Sequence, residues 1–460
     1  MGEEPTYNGE LRTPPRFYKT WKLASNPAQL IDELFSQFGD FLHYRGVVNL
    51  YLVNHPALVK QVLNETHRNF DKQTVIYDRF RNALGNGLVN AEGDHWKRQR
   101  KLLQPVFRSG SVKSFFDIML RSTEKMADAW ERRITAGTIF RVHGEIANLT
   151  LEIAGKALFS NGFEESADDI IHWTNTINTY SSFPPLRILN NTAIPTPLNL
   201  RLKHVLREYN TFITGMIEQR LADPSHDDLL SIFLTMRDED TGEPMKMHEV
   251  AEEVLGMIIG GHETSSAALV STFFELSRHP EIERQVVDEI DRVKGDGPLL
   301  LEHLEELHLT RRVIDESMRL HPPFWFENRN AKEDTDIGGT IVPKGSMIAL
   351  SRYSLHRNPV FWDDPETFNP ERFNSDSPDY IDSDSMGIYI PFSRGPRSCV
   401  GRHFAMMEMM IIVTTLLSRY QFQPTEIDKD DFSARLTLEL KNRFPVRIIR
   451  RAKRPTLTAV

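Results

Sequence analysis

The chain has 460 residues and a formal net charge of −9, because 64 Asp and Glu outnumber 55 Lys and Arg. Hydrophobic residues make up 40 %, which suffices for a folded core and excludes a chain that is disordered throughout. The acidic balance argues against a nucleic-acid binder held by bulk positive charge, and the single Cys excludes an intrachain disulfide or a site that needs several thiolates.

The N-terminal segment "MGEEPTYNGE" is acidic and polar, unlike a secretory signal, and no apolar run reaches the roughly 18 residues of a membrane span. We therefore predict a soluble, cytoplasmic protein that is a monomer and has no membrane span. Because no linker, low-complexity tract or repeat divides the chain, we predict a single domain over residues 1–460 with flexible ends near 1–20 and 450–460.

The predicted elements change in character along the chain. Residues 41–53 hold two runs of β-branched and aromatic residues, which predict a pair of strands. From residue 93 to about 320 the pattern is mostly helical, apart from a Pro-containing stretch at 183–197. After Pro322 strand and turn signals return, and a last helix begins near Gly401, followed by strand-like alternation. The predicted fold class is therefore mostly α with a minor β region.

The most specific motif is "FSRGPRSCVG", which directly precedes the helical run "RHFAMMEMMIIVTTLL". Because Cys399 then lies at a helix N-terminus, we expect a lowered thiol pKa and a sulfur suited to binding a metal. Glycines without a β-carbon allow a tight turn and the close approach of a flat group. The residues of this motif in fixed register are Phe392, Gly395, Arg397, Cys399 and Gly401.

This motif resembles the haem-binding loop of the cytochrome P450 family, in a soluble, bacterial-type form, and the likeness runs from "FLHYRG" to near Arg447. The resemblance implies a triangular prism of helices that holds haem b (iron protoporphyrin IX) on the Cys399 thiolate, with Phe392 and Gly401 beside it. It also implies a monooxygenase, which inserts one atom of dioxygen into a lipophilic substrate and reduces the other to water.

A second motif, "GGHETSS" at 260–266, lies inside a helix predicted over residues 247–278. Two adjacent glycines cost about 1 kcal/mol each relative to Ala, and the Thr264 hydroxyl can bond back to the Gly260 carbonyl and open the helix. By resemblance this is the oxygen-activation groove, with Gly260 against the haem and Glu263 and Thr264 as the catalytic pair that supplies protons. Taken alone, the segment also fits a helix packed closely at a Gly pair.

A third pair of motifs, "ESMR" and "PERF", places Glu316 and Arg319 three residues apart on one helix and Arg372 about fifty residues later. In the P450 family these residues form a buried ion network behind the haem loop. Without the resemblance, a Glu and an Arg at this spacing would indicate a solvated helix face.

Further residues are implied to hold the haem propionates. Trp96 and Arg100 lie four apart in "WKRQR", on one helical face suited to gripping a carboxylate. Arg329 and Arg397 match the other propionate partners of the family by position. For each of these Arg residues alone, a surface or structural role is equally consistent with the sequence.

The substrate pocket is predicted from stretches that contact substrates in the family. Their apolar and aromatic character predicts a lipophilic substrate such as a fatty acid, terpenoid or steroid, and "GLVNAEGDHWKRQRKLLQPVF" most resembles the branch that hydroxylates long-chain fatty acids. Some of these side chains could equally be ordinary core. The predicted pocket residues are Val75, Ile76, Tyr77, Phe80, Leu84, Leu88, Phe183, Phe324, Trp325, Phe326 and Leu436.

Electrons are expected from a separate ferredoxin or flavodoxin-type donor, because about sixty residues after the Cys leave no room for a fused reductase. An acidic donor would favour a basic patch on the Cys side of the protein. The alternatives are a peroxide-driven peroxygenase and a non-catalytic haem gas sensor. The candidates for the patch are Lys97, Arg98, Arg100, Lys101, Arg394 and Arg402.

Overall fold

The structure is a computed structural model that describes residues 5–46, 49–182, 192–223, 225, 228–237, 242–425 and 432–451. Helices dominate this part of the chain, as predicted. They are α1 (Lys22–Ser25), α2 (Pro27–Phe38), α3 (Pro56–Lys60), α4 (Val75–Leu84), α5 (Gly93–Leu103), α6 (Ser109–Val112), α7 (Phe116–Thr135), α8 (Val142–Phe159), α9 (Ala167–Ser181), α10 (Pro197–Ala222), α11 (Leu229–Thr235), α12 (Met247–Arg278), α13 (Pro280–Lys294), α14 (His303–Glu306), α15 (His308–Leu320), α16 (Arg352–Leu355), α17 (Ser383–Met386) and α18 (Arg402–Arg419).

The minor β region consists of short strands in four sheets. The largest sheet has the order β1-β2-β8-β5-β3, the second has the order β4-β12-β9, and β6-β7 and β10-β11 are two-stranded. The pair of strands predicted over residues 41–53 is present, antiparallel, with Phe41 opposite Val53. The strands are β1 (Phe41–Arg45), β2 (Asn49–Val53), β3 (Phe70–Asp71), β4 (Ile139–Arg141), β5 (Phe326–Ala331), β6 (Thr335–Ile337), β7 (Thr340–Val342), β8 (Met347–Ser351), β9 (Tyr420–Pro424), β10 (Phe432–Ala434), β11 (Leu438–Leu440) and β12 (Pro445–Arg450).

The helix α12 is the central element, and its bounds agree with the predicted range. Its 32 residues span about 48 Å, and it packs against α8, α15 and α18. Nearly every residue from Ser265 to Leu276 is buried, which is typical of a helix enclosed by others. Among the described residues, no helix is both long and apolar enough to cross a membrane.

The ion network predicted from "ESMR" and "PERF" joins α15 to the chain that follows it. Glu316 and Arg319 are fully buried, and Arg319 Nε and Nη2 donate to the two Glu316 oxygens at 2.7 and 2.9 Å. Arg372 Nε lies 3.5 Å from Glu316 Oε1. Arg319 also donates to the carbonyls of His356 and Pro365, so the pair fixes the segment before the Cys loop. Because the Glu316 and Arg319 side chains are buried, the alternative interpretation of "ESMR" as a solvated helix face is wrong.

The sequence predicts a flexible end near residues 1–20, but the described part of this segment packs against the rest of the protein. Arg12 forms a bridge to Leu42 of β1, Pro14 is buried, and the Tyr7 ring packs against Phe41. These contacts attach the segment from residue 5 to residue 20 to the largest sheet, which contains β1. Residues 1–4 and 452–460 lie outside the described residues.

Candidate active site

A cavity of about 310 Å³ is lined by both α12 and the loop that carries Cys399. Its lining includes the Gly260–Thr264 turn of α12 and, from the loop, Phe392, Cys399 and Gly401. The remaining walls come from α4, α5, α18 and the chain around residues 324 and 436. The structure therefore brings the two strongest sequence motifs to one site.

The Cys399 loop depends on one glycine for its course. Gly395 has φ +74°, and a β-carbon there would lie 2.2 Å from the Leu63 carbonyl oxygen, so only glycine fits. Gly395 therefore makes the predicted tight turn, and its missing side chain leaves room for protein backbone. Gly401 differs, because a β-carbon there would meet only the Cys399 sulfur, at 3.9 Å, and this glycine lines the cavity.

Cys399 is exposed towards the cavity and precedes α18 by three residues. Its backbone N–H donates to the Phe392 carbonyl at 2.8 Å, which closes the loop. Burial raises the pKa of the Cys399 thiol, while the Gly401 N–H and the Arg100 guanidinium oppose that rise. The Gly401 N–H at the start of α18 does lower the pKa of the thiol, as predicted, but burial has the larger effect. The expectation of a lowered thiol pKa is therefore wrong for the polypeptide alone. A bound metal would select the thiolate.

The α12 wall uses its two central glycines differently. A β-carbon on Gly260 would meet nothing within 4 Å, whereas one on Gly261 would lie 3.6 Å from the Ala154 side chain of α8. The Thr264 hydroxyl donates to the Gly260 carbonyl at 2.8 Å, as predicted. The helix nevertheless continues without interruption, so the predicted local opening is not observed. Gly260 leaves its part of the cavity wall without a side chain, whereas a β-carbon on Gly261 would make an ordinary contact with α8.

Glu263 is a buried acid in the same turn and lines the cavity. Its Oε1 accepts a hydrogen bond from the Asn178 amide, and its Oε2 has no hydrogen-bond partner. Burial and the nearby Glu439 raise the pKa of Glu263 to about 8, although Asn178 and Thr437 lower it. The carboxyl group therefore keeps a proton at neutral pH and can release it.

One edge of the cavity is cationic. Trp96 and Arg100 both line it from α5, and Arg100 donates to the Ser398 carbonyl at 2.7 Å. The Arg397 guanidinium stacks over Trp96 at 3.9 Å from the ring centroid and forms a 2.8 Å ion pair with Glu92. These three side chains are suited to holding carboxylates at the cavity edge.

Arg329 does not line this cavity. It is buried, it donates to the Glu327 carboxylate, and it lines an adjacent groove together with Trp96 and Arg397. Because Glu327 also lines the main cavity, Arg329 lies next to it, and its role as a propionate partner stays a prediction.

The observed residues fit a haem. Cys399 offers one sulfur to a metal, the cavity wall at Gly260 carries no side chain, and the Arg edge suits the two carboxylates of protoporphyrin. Comparison with known proteins identifies the family, because the sequence pattern of the family described as Cytochrome P450 matches residues 13–444.

The chain belongs to the cytochrome P450 family. It is accordingly a monooxygenase of the oxidoreductase class, and haem is its cofactor.

Several characterised P450s are similar over most of their length. Cyclooctat-9-en-7-ol 5-monooxygenase of Streptomyces melanosporofaciens is 33 % identical, with 89 % of this chain and 88 % of that protein covered. Pentalenene oxygenase of Streptomyces avermitilis is 32 % identical, with 87 % and 88 % covered. Leukotriene-B4 omega-hydroxylase 3 of Mus musculus is 29 % identical, with 84 % and 78 % covered.

Sequence reasoning missed three charged side chains that line the cavity of this P450: Lys72, Glu327 and Arg352. The Lys72 ammonium donates to the Val89 carbonyl at 2.6 Å, and burial with nearby Arg residues lowers its pKa to about 7. Glu327 accepts hydrogen bonds from Arg352 and, at 2.8 Å, from Ser393 of the Cys loop.

Although burial opposes it, Arg329 and Arg352 lower the pKa of Glu327 to about 2. No local spacing could reveal this pair, because antiparallel pairing of β5 with β8 brings Glu327 and Arg352 together.

The apolar part of the P450 cavity contains about half of the predicted substrate residues. Phe324 and Leu436 line it, and α4 contributes Tyr77, Phe80 and Leu84, which share one helical face at spacings of three and four. Leu88 follows in the next loop.

Val75, Ile76, Trp325 and Phe326 do not line the cavity. They belong to a core cluster at the largest sheet that also contains Tyr77 and Phe80 of the cavity wall, and the Trp325 indole donates to the Arg435 carbonyl at 2.8 Å. Their assignment to the pocket is therefore wrong. Phe183 lies outside the described residues.

Proposed function

We propose that this P450 oxygenates an uncharged, terpenoid-type substrate and takes its electrons from a separate protein donor. We infer the substrate class from where charged side chains lie in the cavity. The Lys and Arg side chains in the described cavity wall all donate hydrogen bonds to oxygens of the protein. They are Lys72, Arg100, Arg352 and Arg397. The wall formed by Phe80, Leu84, Leu88, Phe324 and Leu436 is apolar.

Arg100 and Arg397 would be taken up by the carboxylates of the cofactor, and Lys72 and Arg352 already donate to protein oxygens. A fatty-acid carboxylate would therefore lose hydration without gaining a partner, which favours a hydrocarbon or alcohol. The names of two relatives support this choice, since pentalenene and cyclooctat-9-en-7-ol carry no carboxylate. A fatty-acid substrate is the second candidate, because the name of another relative specifies omega-hydroxylation of leukotriene B4.

The substrate class can be read from the Soret band of the ferric enzyme, which shifts when a ligand displaces water from the iron. We expect sesquiterpene and diterpene hydrocarbons or alcohols to produce this shift at concentrations at least about tenfold below those of fatty acids of equal carbon number. Phe324→Ala should weaken the terpenoid response, whereas Val360→Ala, at a surface position that is 72 % exposed, should not. Tighter binding of the fatty acids would contradict the proposed class.

The residues have distinct roles in the proposed reaction. The haem on Cys399 supplies the oxidising chemistry when bound, and the thiolate strengthens it. Trp96, Arg100 and Arg397 would hold the carboxylates of the cofactor. The Thr264 hydroxyl lines the cavity, where it would accept a proton from Glu263 and hold a proton for the dioxygen substrate.

Replacing Thr264 by Ala tests the proton-supplying pair. We expect electron consumption to continue, while product per electron pair falls by roughly an order of magnitude and hydrogen peroxide accumulates. The reason is that the Thr264 hydroxyl no longer delivers protons in the cavity. The measurement is the ratio of product and peroxide to reduced donor consumed. Thr272→Ala is the matched control, since its hydroxyl makes the same 2.8 Å bond one turn back but to Ala268 in the core.

Unchanged coupling in Thr264→Ala would remove this role from the hydroxyl. Turnover driven by peroxide alone, at the rate seen with a donor and dioxygen, would support a peroxygenase instead.

The proposed donor surface is smaller than the predicted patch. Lys97, Lys101 and Arg402 are exposed, and Arg394 is half-buried. Arg98 is half-buried and lies 3.5 Å from Glu249 of α12, and Arg100 points into the loop. Arg98 and Arg100 therefore do not belong to the docking face.

Charge reversal tests this surface. We expect Arg402→Glu and Lys101→Glu to slow reduction by an acidic ferredoxin or flavodoxin at low salt and to flatten the dependence of its rate on ionic strength. Stopped-flow reduction under carbon monoxide measures the rate. Lys203→Glu on α10, also exposed, should leave the salt dependence unchanged. Equal salt dependence in all three variants and the parent enzyme would place the donor elsewhere.

A further inference from the structure

The chain between α4 and α5 is attached to the central helix α12 by two consecutive glutamates. The Asn86 N–H donates to Glu252 Oε2, and the Leu88 N–H donates to Glu253 Oε1, each at 2.9 Å. The Glu253 residue is 1 % exposed, and Glu252 is half-buried. The backbone of residues 85–88 is therefore fixed directly to α12.

Two glycines let this backbone approach α12 closely. Gly85 ends α4 with φ +71°, and a β-carbon there would lie 2.2 Å from the carboxyl carbon of Glu252. A β-carbon on Gly87 would lie 3.1 Å from the Glu252 backbone oxygen, which is tighter than an ordinary contact. Side chains at these two positions would push the segment away from the helix, so the glycines are suited to this contact.

A buried acid is unfavourable at this place unless it has hydrogen-bond partners. Burial raises the pKa of Glu253 to about 7, and the Leu88 N–H opposes that rise. Glu252 and Glu249 raise the same pKa further, whereas Arg98 lowers it. An apolar side chain would pack here without these costs. What the two acids add is a pair of acceptors for backbone N–H groups.

The segment that these acids hold forms part of the cavity wall. Leu88 lines the cavity, and so do Leu84 before it and Val89 after it. All three side chains are apolar, as a lipophilic ligand requires. Because the acids belong to the helix that also carries Thr264, the two hydrogen bonds fix this apolar wall relative to the oxygen-activating turn.

We propose that Glu252 and Glu253 are positioning residues that hold the apolar wall around Leu88 against α12 and so set the width of the substrate cavity. The inference rests on the proposed use of this cavity for a lipophilic substrate, but not on the class of that substrate. Neither acid belongs to the described cavity lining, so both act through the backbone of residues 85–88. If the wall is in place only part of the time, the apparent Kd of a ligand rises in inverse proportion to that fraction.

Two azoles test the wall in the ferric holoenzyme. Imidazole and 1-benzylimidazole both bind haem iron through a ring nitrogen and shift the Soret band, but only the second adds a bulky apolar group. We expect Glu253→Leu and Glu252→Ala each to raise the Kd of 1-benzylimidazole at least about fivefold, as loss of one hydrogen bond does, and that of imidazole less than about twofold. Leu88→Ala, which removes part of the wall itself, should also weaken 1-benzylimidazole binding.

Conservative and matched variants separate this role from general damage. Glu253→Gln keeps an oxygen that can accept from the Leu88 N–H, so it should bind 1-benzylimidazole as the parent enzyme does. Glu249→Leu should also bind it normally, because this half-buried acid lies one turn earlier on α12 and accepts from the Lys246 N–H instead.

Hydrogen–deuterium exchange of the peptide that contains residues 85–88 provides a readout without any ligand. Exchange should be faster in Glu253→Leu and Glu252→Ala than in the parent enzyme, and unchanged in Glu253→Gln and Glu249→Leu, because only the first two lose an acceptor for this segment.

Unchanged 1-benzylimidazole binding in both Glu253→Leu and Glu252→Ala would overturn the proposal, even with faster exchange. Equal weakening of both azoles would overturn it too, because the effect would then come from the haem site as a whole. So would Glu253→Gln as weak as Glu253→Leu, or normal 1-benzylimidazole binding in Leu88→Ala. If Glu253→Leu does not take up haem, the half-buried Glu252→Ala decides alone.

Failure of the proposed substrate class would show separately, as tighter binding of fatty acids than of terpenoids. Ligation of the iron by an azole does not depend on that class.

Discussion

Replacing Cys399 by Ser is expected to abolish the red-shifted Soret band of the reduced carbon monoxide complex and to bring oxygenation to background. The sulfur is the only thiol in the sequence, and it lines the same cavity as Gly260, which presents no side chain there. A hydroxyl group keeps its proton at neutral pH and donates far less electron density to iron than a thiolate.

The apolar cavity itself is unchanged in this variant, so some haem should still bind and make the spectrum interpretable. Ser398→Ala is the matched control, because the contact from Arg100 uses the backbone carbonyl at that position. A normal thiolate spectrum in Cys399→Ser, or its loss in Ser398→Ala, would contradict the assignment of the ligand.

Breaking the buried ion network is expected to have the largest effect on stability. Arg319→Met leaves the fully buried Glu316 without its bidentate partner, and loss of one member of a buried pair costs about 3–5 kcal/mol. We expect an equivalent fall in the free energy of unfolding by urea and a lower haem content, because the network fixes the chain before the Cys loop.

Arg312→Met provides a control on the same helix. Arg312 forms a 3.1 Å pair with Glu371, whose side chain is 40 % exposed, and such pairs contribute about 0–1 kcal/mol. The comparison therefore separates burial from charge alone. Similar losses of unfolding free energy in the two variants would show that the buried Glu316–Arg319 pair stabilises the fold no more than a partly exposed pair does.

Several features followed directly from the order of residues. The bounds of α12, the β1–β2 pair and the position of Cys399 before α18 depend on local periodicity, turn residues and helix termini. The bond from Thr264 to Gly260 is also local, since one helical turn separates the two residues. Interactions that are close in sequence are largely set by backbone geometry, so a pattern alone can predict them.

Other features required the packed chain. Which face of α4 lines the cavity, with Phe80 on the cavity wall and Ile76 away from it, depends on where that helix docks. The Glu327–Arg352 pair depends on strand pairing, and the same Glu327 also binds Arg329. Periodicity identifies an apolar face but not the group that will cover it.

Residue types at short, fixed spacings predicted the family, the haem ligand and the proton-supplying pair, because such spacings can be read along the chain. How these groups are charged and connected depends on packing in the folded chain. Burial and charges distant in sequence shift the pKa of Cys399 and of Glu263, and the hydrogen bond from Asn178 to Glu263 joins residues far apart along the chain. Electrostatic energies depend on distance and solvent exposure in space, which no local pattern encodes.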